Sequence, residues 1–187
     1  ERTMLPDRAA AMELAAVPDG ALADVTWLHV PAYSLVVEPL GTTSRAAIHR
    51  AHAAGARVSI DASSTGPITS FGVSRLLEML ASLQPEVFFA NADEAGLLGI
   101  GPGSPLVGAD LTVIKAGAAP VTMVTASGET AVIPVTPVET VADTTGAGDA
   151  FASGFITATM AGAEAAVAVD AGCRGAATVL SQPGAGG

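Results

Sequence analysis

The residues best suited to chemistry stand together in one stretch, Asp143-Thr-Thr-Gly-Ala-Gly-Asp-Ala-Phe-Ala-Ser-Gly-Phe155. A glycine-rich turn here feeds the start of a helix. Gly146 and Gly148 allow backbone conformations closed to other residues and leave room for a ligand. The N–H groups of Gly146, Ala147 and Gly148 fall among the unpaired donors of the helix start, and with the helix dipole they make an anion site. Asp149 stands at the same start. Its carboxylate would repel a bound phosphate unless a proton or cation intervened. That suits a base that takes a proton from a hydroxyl while the adjacent N–H groups hold an arriving phosphoryl group. The same string also reads as a capped helix with a tight turn.

The elements around this loop follow an α/β rhythm. A helix is expected over 7–16, then a strand Thr26–Val30 stopped by Pro31. A helix from Ser44 to Ala54 has Thr42, Thr43 or Ser44 as its N-cap and Gly55 as its stop. Strand Arg57–Ile60 ends at Asp61, helix Val73–Leu83 is amphipathic, strand Val87–Ala90 ends at Asn91, and a short helix covers Asp93–Leu98. Such alternation marks a mostly parallel sheet with helices on its faces, where ligands bind beyond the carboxyl ends of the strands. Asp61 and Asn91 are therefore candidates by position alone. Residues 99–105 read as a loop whose G-x-G lacks the strand and helix of a dinucleotide site. Strands follow at Leu111–Lys115, Val121–Thr125 and Thr130–Val135, the last two joined through Ser127-Gly128, and two Ala/Gly-rich helices cover 148–161 and 163–180.

Composition narrows the classes. Of 187 residues, 50% are hydrophobic and 14% charged, enough apolar material for a sizeable core. Eight basic against eighteen acidic residues give a net charge of −10, which argues against a nucleic-acid backbone or an anionic membrane as partner. The single cysteine, Cys173, excludes an internal disulfide framework and a cysteine-based zinc cluster. His49 and His52 are flanked by Arg45 and Arg50 and read as a solvated helix face. No apolar run is long enough to span a bilayer, and no secretory signal is present, so a cytoplasmic location is expected. The chain begins at Glu1 in mid-pattern and reads as part of a longer protein. No Walker A string occurs, which excludes a P-loop kinase.

The string from Asp143 to Phe155 resembles the C-terminal signature of the ribokinase family of carbohydrate kinases (phosphofructokinase B type), D-T-x-G-A-G-D-x-F-x-x-G, at every fixed position. The resemblance implies a three-layer α/β/α ribokinase-like fold with a mostly parallel central sheet. Residues 1–187 would form a single kinase domain that lacks its N-terminal part and most of the lid. It implies transfer of the ATP γ-phosphoryl group to a hydroxymethyl group of a sugar, with Asp149 as base and Gly146, Ala147 and Gly148 as anion hole. Asn91-Ala-Asp-Glu94 resembles the family's N-x-x-E motif, which makes Asn91 and Glu94 candidates for placing phosphate and Mg²⁺, Glu94 through water. Lys115-Ala-Gly117 resembles the strand-end nucleotide segment, although Lys115, the only lysine, reads equally as a solvated strand end. Asp143 and Thr145 resemble positions that hold a monovalent cation such as K⁺, and Thr145 and Cys173 fall on the nucleotide side of the pattern.

The chain also departs from the family. Pro120 replaces the second glycine of the nucleotide segment, Cys173 stands near a position that is often Asn, and Asp61 is not followed by the frequent D-P-N continuation. Pairing of a lid strand between subunits, frequent in the family, would give a homodimer. Two alternatives stand beside the sugar kinase. One is a nucleoside kinase of the same fold. The other is a non-catalytic nucleotide- or sugar-binding protein on the same scaffold, for which a base inside the phosphate site would be a burden.

Overall fold

A computed structural model describes residues 14–18, 20–135 and 137–181. The strands are β1 (Trp27–Pro31), β2 (Arg57–Asp61), β3 (Val87–Asn91), β4 (Leu111–Ala116), β5 (Ala119–Thr125) and β6 (Thr130–Ile133). The helices are α1 (Tyr33–Val36), α2 (Leu40–Ala53), α3 (Thr65–Phe71), α4 (Val73–Leu83), α5 (Ala92–Leu98), α6 (Ala147–Met160) and α7 (Ala165–Leu180). The strands form one sheet in the order β1-β2-β3-β4-β5-β6, parallel through β4 and antiparallel over β5 and β6.

Side-chain alternation in the short strands decides the layering. In β3, Phe88 and Ala90 join one hydrophobic core while Val87 and Phe89 join a second. A strand apolar on both faces requires a cover on each. Right-handed crossovers between strands laid down in one direction put their connecting helices on one face. There α1 to α5 pack through Leu35, Ile48, Ile68, Leu76, Leu80 and Leu98 against Val58, Ile60 and Phe88. The opposite face is covered by α6 and α7, whose Phe151, Phe155, Ala168 and Val169 meet Phe89, Val113 and Met123. The result is the expected three-layer α/β/α arrangement with a mostly parallel sheet.

Helix α6 lies on α7 at backbone contact. A Cβ placed on Gly154 would come within 2.6 Å of the Ala171 carbonyl oxygen, and one on Gly172 within 2.8 Å of the Phe151 carbonyl oxygen. Glycine is what permits this approach, and it sets how closely α6 lies against α7.

Several boundaries differ from the sequence expectation. Most of the helix expected over 7–16 lies outside the described residues, and Leu14 to Ala16 are not helical. Helix α2 begins at Leu40, so Thr42, Thr43 and Ser44 lie in its first turns instead of capping it. The Glu38 carboxylate accepts the Thr42 N–H at 2.9 Å and so serves the helix start from outside. Helix α3 has no counterpart in the sequence reading; its Pro67 falls in the first turn, where no N–H is required. β6 stops at Ile133, before Pro134. His49 is exposed as expected, but His52 is half-buried, with Nε2 3.3 Å from Glu86 Oε2. Among the described residues no helix is long and apolar enough to cross a membrane.

Candidate active site

A cleft of about 550 Å³ opens beyond the carboxyl ends of β1 to β4, on the face covered by α6 and α7. The strand ends supply His29, Asp61, Asn91 and Lys115, and the start of α6 supplies Gly146, Ala147, Gly148 and Asp149. The convergence follows from strand parity. Asn91 pairs in register with Lys115, and Asp61 with Phe89, so these side chains share the face on which Phe89 packs against Phe151 and Phe155.

Gly146 is the N-cap of α6, and its φ of 78° and ψ of −3° place it in the left-handed region that glycine occupies without strain. The turn takes up one of the expected donors, because the Ala147 N–H bonds the Thr144 carbonyl at 3.3 Å. The N–H groups of Gly148 and Asp149 have no backbone acceptor among the described residues. The Gly146 N–H likewise has no backbone acceptor among the described residues, so the open donors at the helix start are those of Gly146, Gly148 and Asp149, with Ala147 turned to Thr144. The Asp149 side chain is exposed in the cleft and accepts no hydrogen bond from the described residues.

Lys115 is not a solvated strand end. From β4 its side chain reaches over β3, and Nζ lies 2.7 Å from Asp61 Oδ2 on β2, with the two side chains only 17% and 14% exposed. The ammonium stands 5.8 Å from the Phe89 ring centroid and 5.7 Å from that of Phe151. It is also 3.7 Å from where a Cβ on Gly148 would be. A cation held against the positive end of a helix dipole is electrostatically unfavourable. Asp61 and the ring faces offset that, and an anion between Lys115 and α6 would satisfy both sides at once.

Asn91 and Glu94 form a capping box. Asn91 Oδ1 accepts the Glu94 N–H at 2.9 Å, and Glu94 Oε2 accepts the Asn91 N–H at 2.8 Å. This explains why Glu94 is 3% exposed although it is charged and lies in the first turn of a short helix. Burial pushes its carboxyl pKa up, against the opposing effect of the Asn91 N–H. Glu94 Oε1 has no partner among the described residues.

The other candidates separate. Cys173 lines the end of the cleft beneath α7 together with Val121, Val138, Ala176, Ala177 and Leu180, and burial raises its thiol pKa. Gly117 lies in the turn between β4 and β5 with a φ of 63°, at the cleft rim. Asp143 and Thr145 are not brought to the cleft wall. Asp143 Oδ1 accepts the Thr145 N–H at 2.9 Å and its O–H at 2.8 Å. Sequence reasoning missed His29. Its signal was available, since it shares strand parity with the residue that ends β1 and so points to the face that carries the strand-end candidates.

Among the described residues no group of three or more His, Cys, Asp or Glu side chains is arranged to hold a metal ion. The donors do fit a hydrated Mg²⁺, which is usually held by one or two carboxylates together with substrate phosphates. Glu94 lines the same cleft as the start of α6.

A mostly parallel sheet with helices on both faces, and a glycine-rich helix start beside its strand ends, defines a three-layer α/β/α protein of the ribokinase-like fold, without a P-loop. The match to the model of the pfkB family of carbohydrate kinases extends over residues 1–187, and the chain belongs to that family. No curated protein matches the sequence. Among solved structures, adenosine kinase from Sinorhizobium meliloti superposes with a TM-score of 0.80 at 26% identity, over 90% of this chain and 53% of that one. Aminoimidazole riboside kinase from Salmonella enterica, solved with aminoimidazole riboside and an ATP analogue, gives 0.69 at 26% identity, over 85% of this chain and 57% of that one. Fructokinase from Vibrio cholerae O395, with fructose, ADP and calcium, shares the fold at 0.67 and 21% identity, over 91% of this chain and 60% of that one. The chain thus spans little more than half the length of these structures.

Proposed function

We propose that the chain is the C-terminal part of one kinase domain that transfers the ATP γ-phosphoryl group to a hydroxymethyl group. The observation that carries this reading is the placement of Asp149. Its carboxylate is free of hydrogen bonds from the described residues, stands on the first turn of α6 beside the open N–H groups, and faces the cleft that holds Lys115. A module that only bound phosphate would gain nothing from a negative charge there.

In this reading the nucleobase rests on the apolar end of the cleft, against Cys173, Ala176 and Leu180. The triphosphate runs toward Gly148 and Lys115. Asp149 accepts the acceptor's proton as the new O–P bond forms and the bond to the ADP oxygen breaks. The Gly148 and Asp149 N–H groups and the Lys115 ammonium stabilise the charge on the transferring group. Mg²⁺, when bound, offsets phosphate charge, and Glu94 Oε1 is the protein atom we assign to its hydration shell. Asp143 and Thr145 keep a proposed role as a K⁺ site behind the turn.

For the acceptor we place a nucleoside ahead of a free sugar. The support is that the two relatives described at 26% identity are an adenosine kinase and an aminoimidazole riboside kinase. The test is a transfer assay on the full-length protein with ATP·Mg²⁺ against adenosine, aminoimidazole riboside, ribose and fructose. The expected result is phosphorylation of a riboside in preference to the free sugars. Preference for fructose or ribose would return the acceptor to the sugar class, and ATP consumption without transfer to any of them would refute the kinase reading.

A further inference from the structure

On β1, three side chains define the state of a ring that faces the cleft. The Trp27 Nε1–H donates to Ser59 Oγ at 2.9 Å, and His29 Nδ1 lies 2.7 Å from the same oxygen. Ser59 is fully buried, and its hydroxyl has one hydrogen to place. An indole N–H can only donate, so Ser59 Oγ accepts from Trp27. Were Nδ1 also a donor, the hydroxyl hydrogen would be left without an acceptor in a buried site, at the cost of an unsatisfied polar group. Ser59 O–H therefore donates to Nδ1, and the neutral ring carries its proton on Nε2. That Nε2–H has no partner among the described residues.

The setting says what the donor is for. His29 lines the cleft, and the charged groups acting on its ring are Asp61, Lys115 and Asp149. Burial, the largest influence, lowers its pKa from 6.5, so the ring is neutral at pH 7. Among the described residues β1 is the outer strand on the side away from β5 and β6, three strand spacings, or about 14 Å, from β4. The apolar end beneath α7 lies on the β5 and β6 side. Along the cleft the order is apolar wall, helix start with Lys115 and Asp149, then His29.

We propose that His29 binds the phosphoryl acceptor. Ser59 fixes the ring so that Nε2–H donates to an oxygen of a neutral, hydroxyl-bearing acceptor next to Asp149, and Ser59 is the positioning residue. This rests on the kinase reading above and adds the residue that recognises the acceptor on this half of the domain.

The test uses full-length protein with adenosine as acceptor and ATP·Mg²⁺ as donor. His29→Phe should raise the adenosine KM roughly 5- to 150-fold, the range of a lost hydrogen bond that leaves a partner unpaired, with the ATP KM unchanged. His29→Gln, whose amide can still donate, should recover most of the loss. Ser59→Ala should raise the adenosine KM by itself and add nothing in the His29→Phe background, the non-additivity of residues acting in series. Should His29→Phe fail to fold, Ser59→Ala and His29→Gln carry the comparison. Nitrogen NMR of the imidazole supplies a readout independent of turnover. A single neutral form protonated at Nε2, lost in Ser59→Ala, supports the assignment, and protonation at Nδ1 overturns it. An active wild type with an unchanged adenosine KM in His29→Phe overturns the role of His29 alone. If aminoimidazole riboside is the riboside phosphorylated, the same variants are read on its KM; a wild type that transfers phosphate to neither riboside overturns the nucleoside reading and this assignment with it.

Discussion

The same substitution, glycine to alanine, should have opposite effects in two helices of this protein. In α6, a Cβ on Gly154 would lie 2.6 Å from the Ala171 carbonyl oxygen and 3.1 Å from the Gly172 Cα, against the 3.4 Å at which ordinary contact begins. The shortfall of about 0.8 Å is against backbone, which no rotamer change relieves. Overpacking of this kind costs about 1–3 kcal/mol, and the better helix propensity of alanine returns about 1 kcal/mol. Gly154→Ala should therefore destabilise the protein by up to about 2 kcal/mol. In α5, a Cβ on Gly96 meets nothing within 4 Å. Gly96→Ala should stabilise by up to about 1 kcal/mol. Urea unfolding at matched m-values measures both. The functional consequence differs too. Separation of α6 from α7 moves the Gly148 and Asp149 end of α6 relative to Lys115, and misplacement by about 1 Å can lower turnover on the order of 100-fold. Gly154→Ala should lose turnover well beyond its loss of folded fraction, while Gly96→Ala keeps it. Equal stability changes of one sign, or a Gly154→Ala variant with wild-type turnover, would refute the packing argument.

Asp149→Asn should leave stability within about 1 kcal/mol, since only a charge in the first helical turn is removed, and should lower turnover by roughly 10²–10⁴ with ATP affinity kept or improved. A variant with more than about a tenth of the wild-type rate, with chemistry rate-limiting, would remove Asp149 from the base role. Glu94 has a folded pKa raised above the ordinary 4.5, so the folded state binds its proton more tightly and stability falls as pH rises from 4.5 through the folded value. Glu94→Gln should remove that slope and be at least as stable as wild type at pH 7 in denaturant titrations, yet show weaker Mg²⁺ dependence of turnover. An unchanged pH slope would contradict the buried-carboxylate account. Asp61→Asn leaves the Lys115 ammonium without its partner at the start of α6 and should destabilise the protein. Inorganic phosphate should then raise the melting temperature of the variant more than that of wild type, and equal shifts would argue against an anion site between Lys115 and α6.

Much of the layering was legible along the chain because it rests on local periodicity. Val73–Leu83 shows a helical stripe and appears with those bounds, and the apolar run Val87–Ala90 reads as a buried strand and lies in β3. The thirteen residues from Asp143 pointed to a phosphate-binding helix start because the backbone needs of such a turn, above all the left-handed Gly146, leave few residue choices. What the sequence could not supply were relations between distant side chains. Lys115 and Asp61 are 54 positions apart, and only the adjacency of β2, β3 and β4 lets the lysine cross over Phe89 to reach the carboxylate. The spacing of Asn91 and Glu94 made both candidates, but it did not show the reciprocal bonds that accompany the burial of Glu94. Asp143 and Thr145 were read from the motif as a monovalent-cation pair, and the bonds from the Thr145 N–H and O–H to Asp143 Oδ1 belong to the folded turn. His29 carried no motif. Its single protonated edge follows from Trp27 and Ser59, and Ser59 comes to lie beside it only because β1 and β2 pair in register. Local sequence sets backbone form, through sterics and periodicity, whereas the proton positions and ion pairs of the cleft are set by which strand ends the sheet brings side by side.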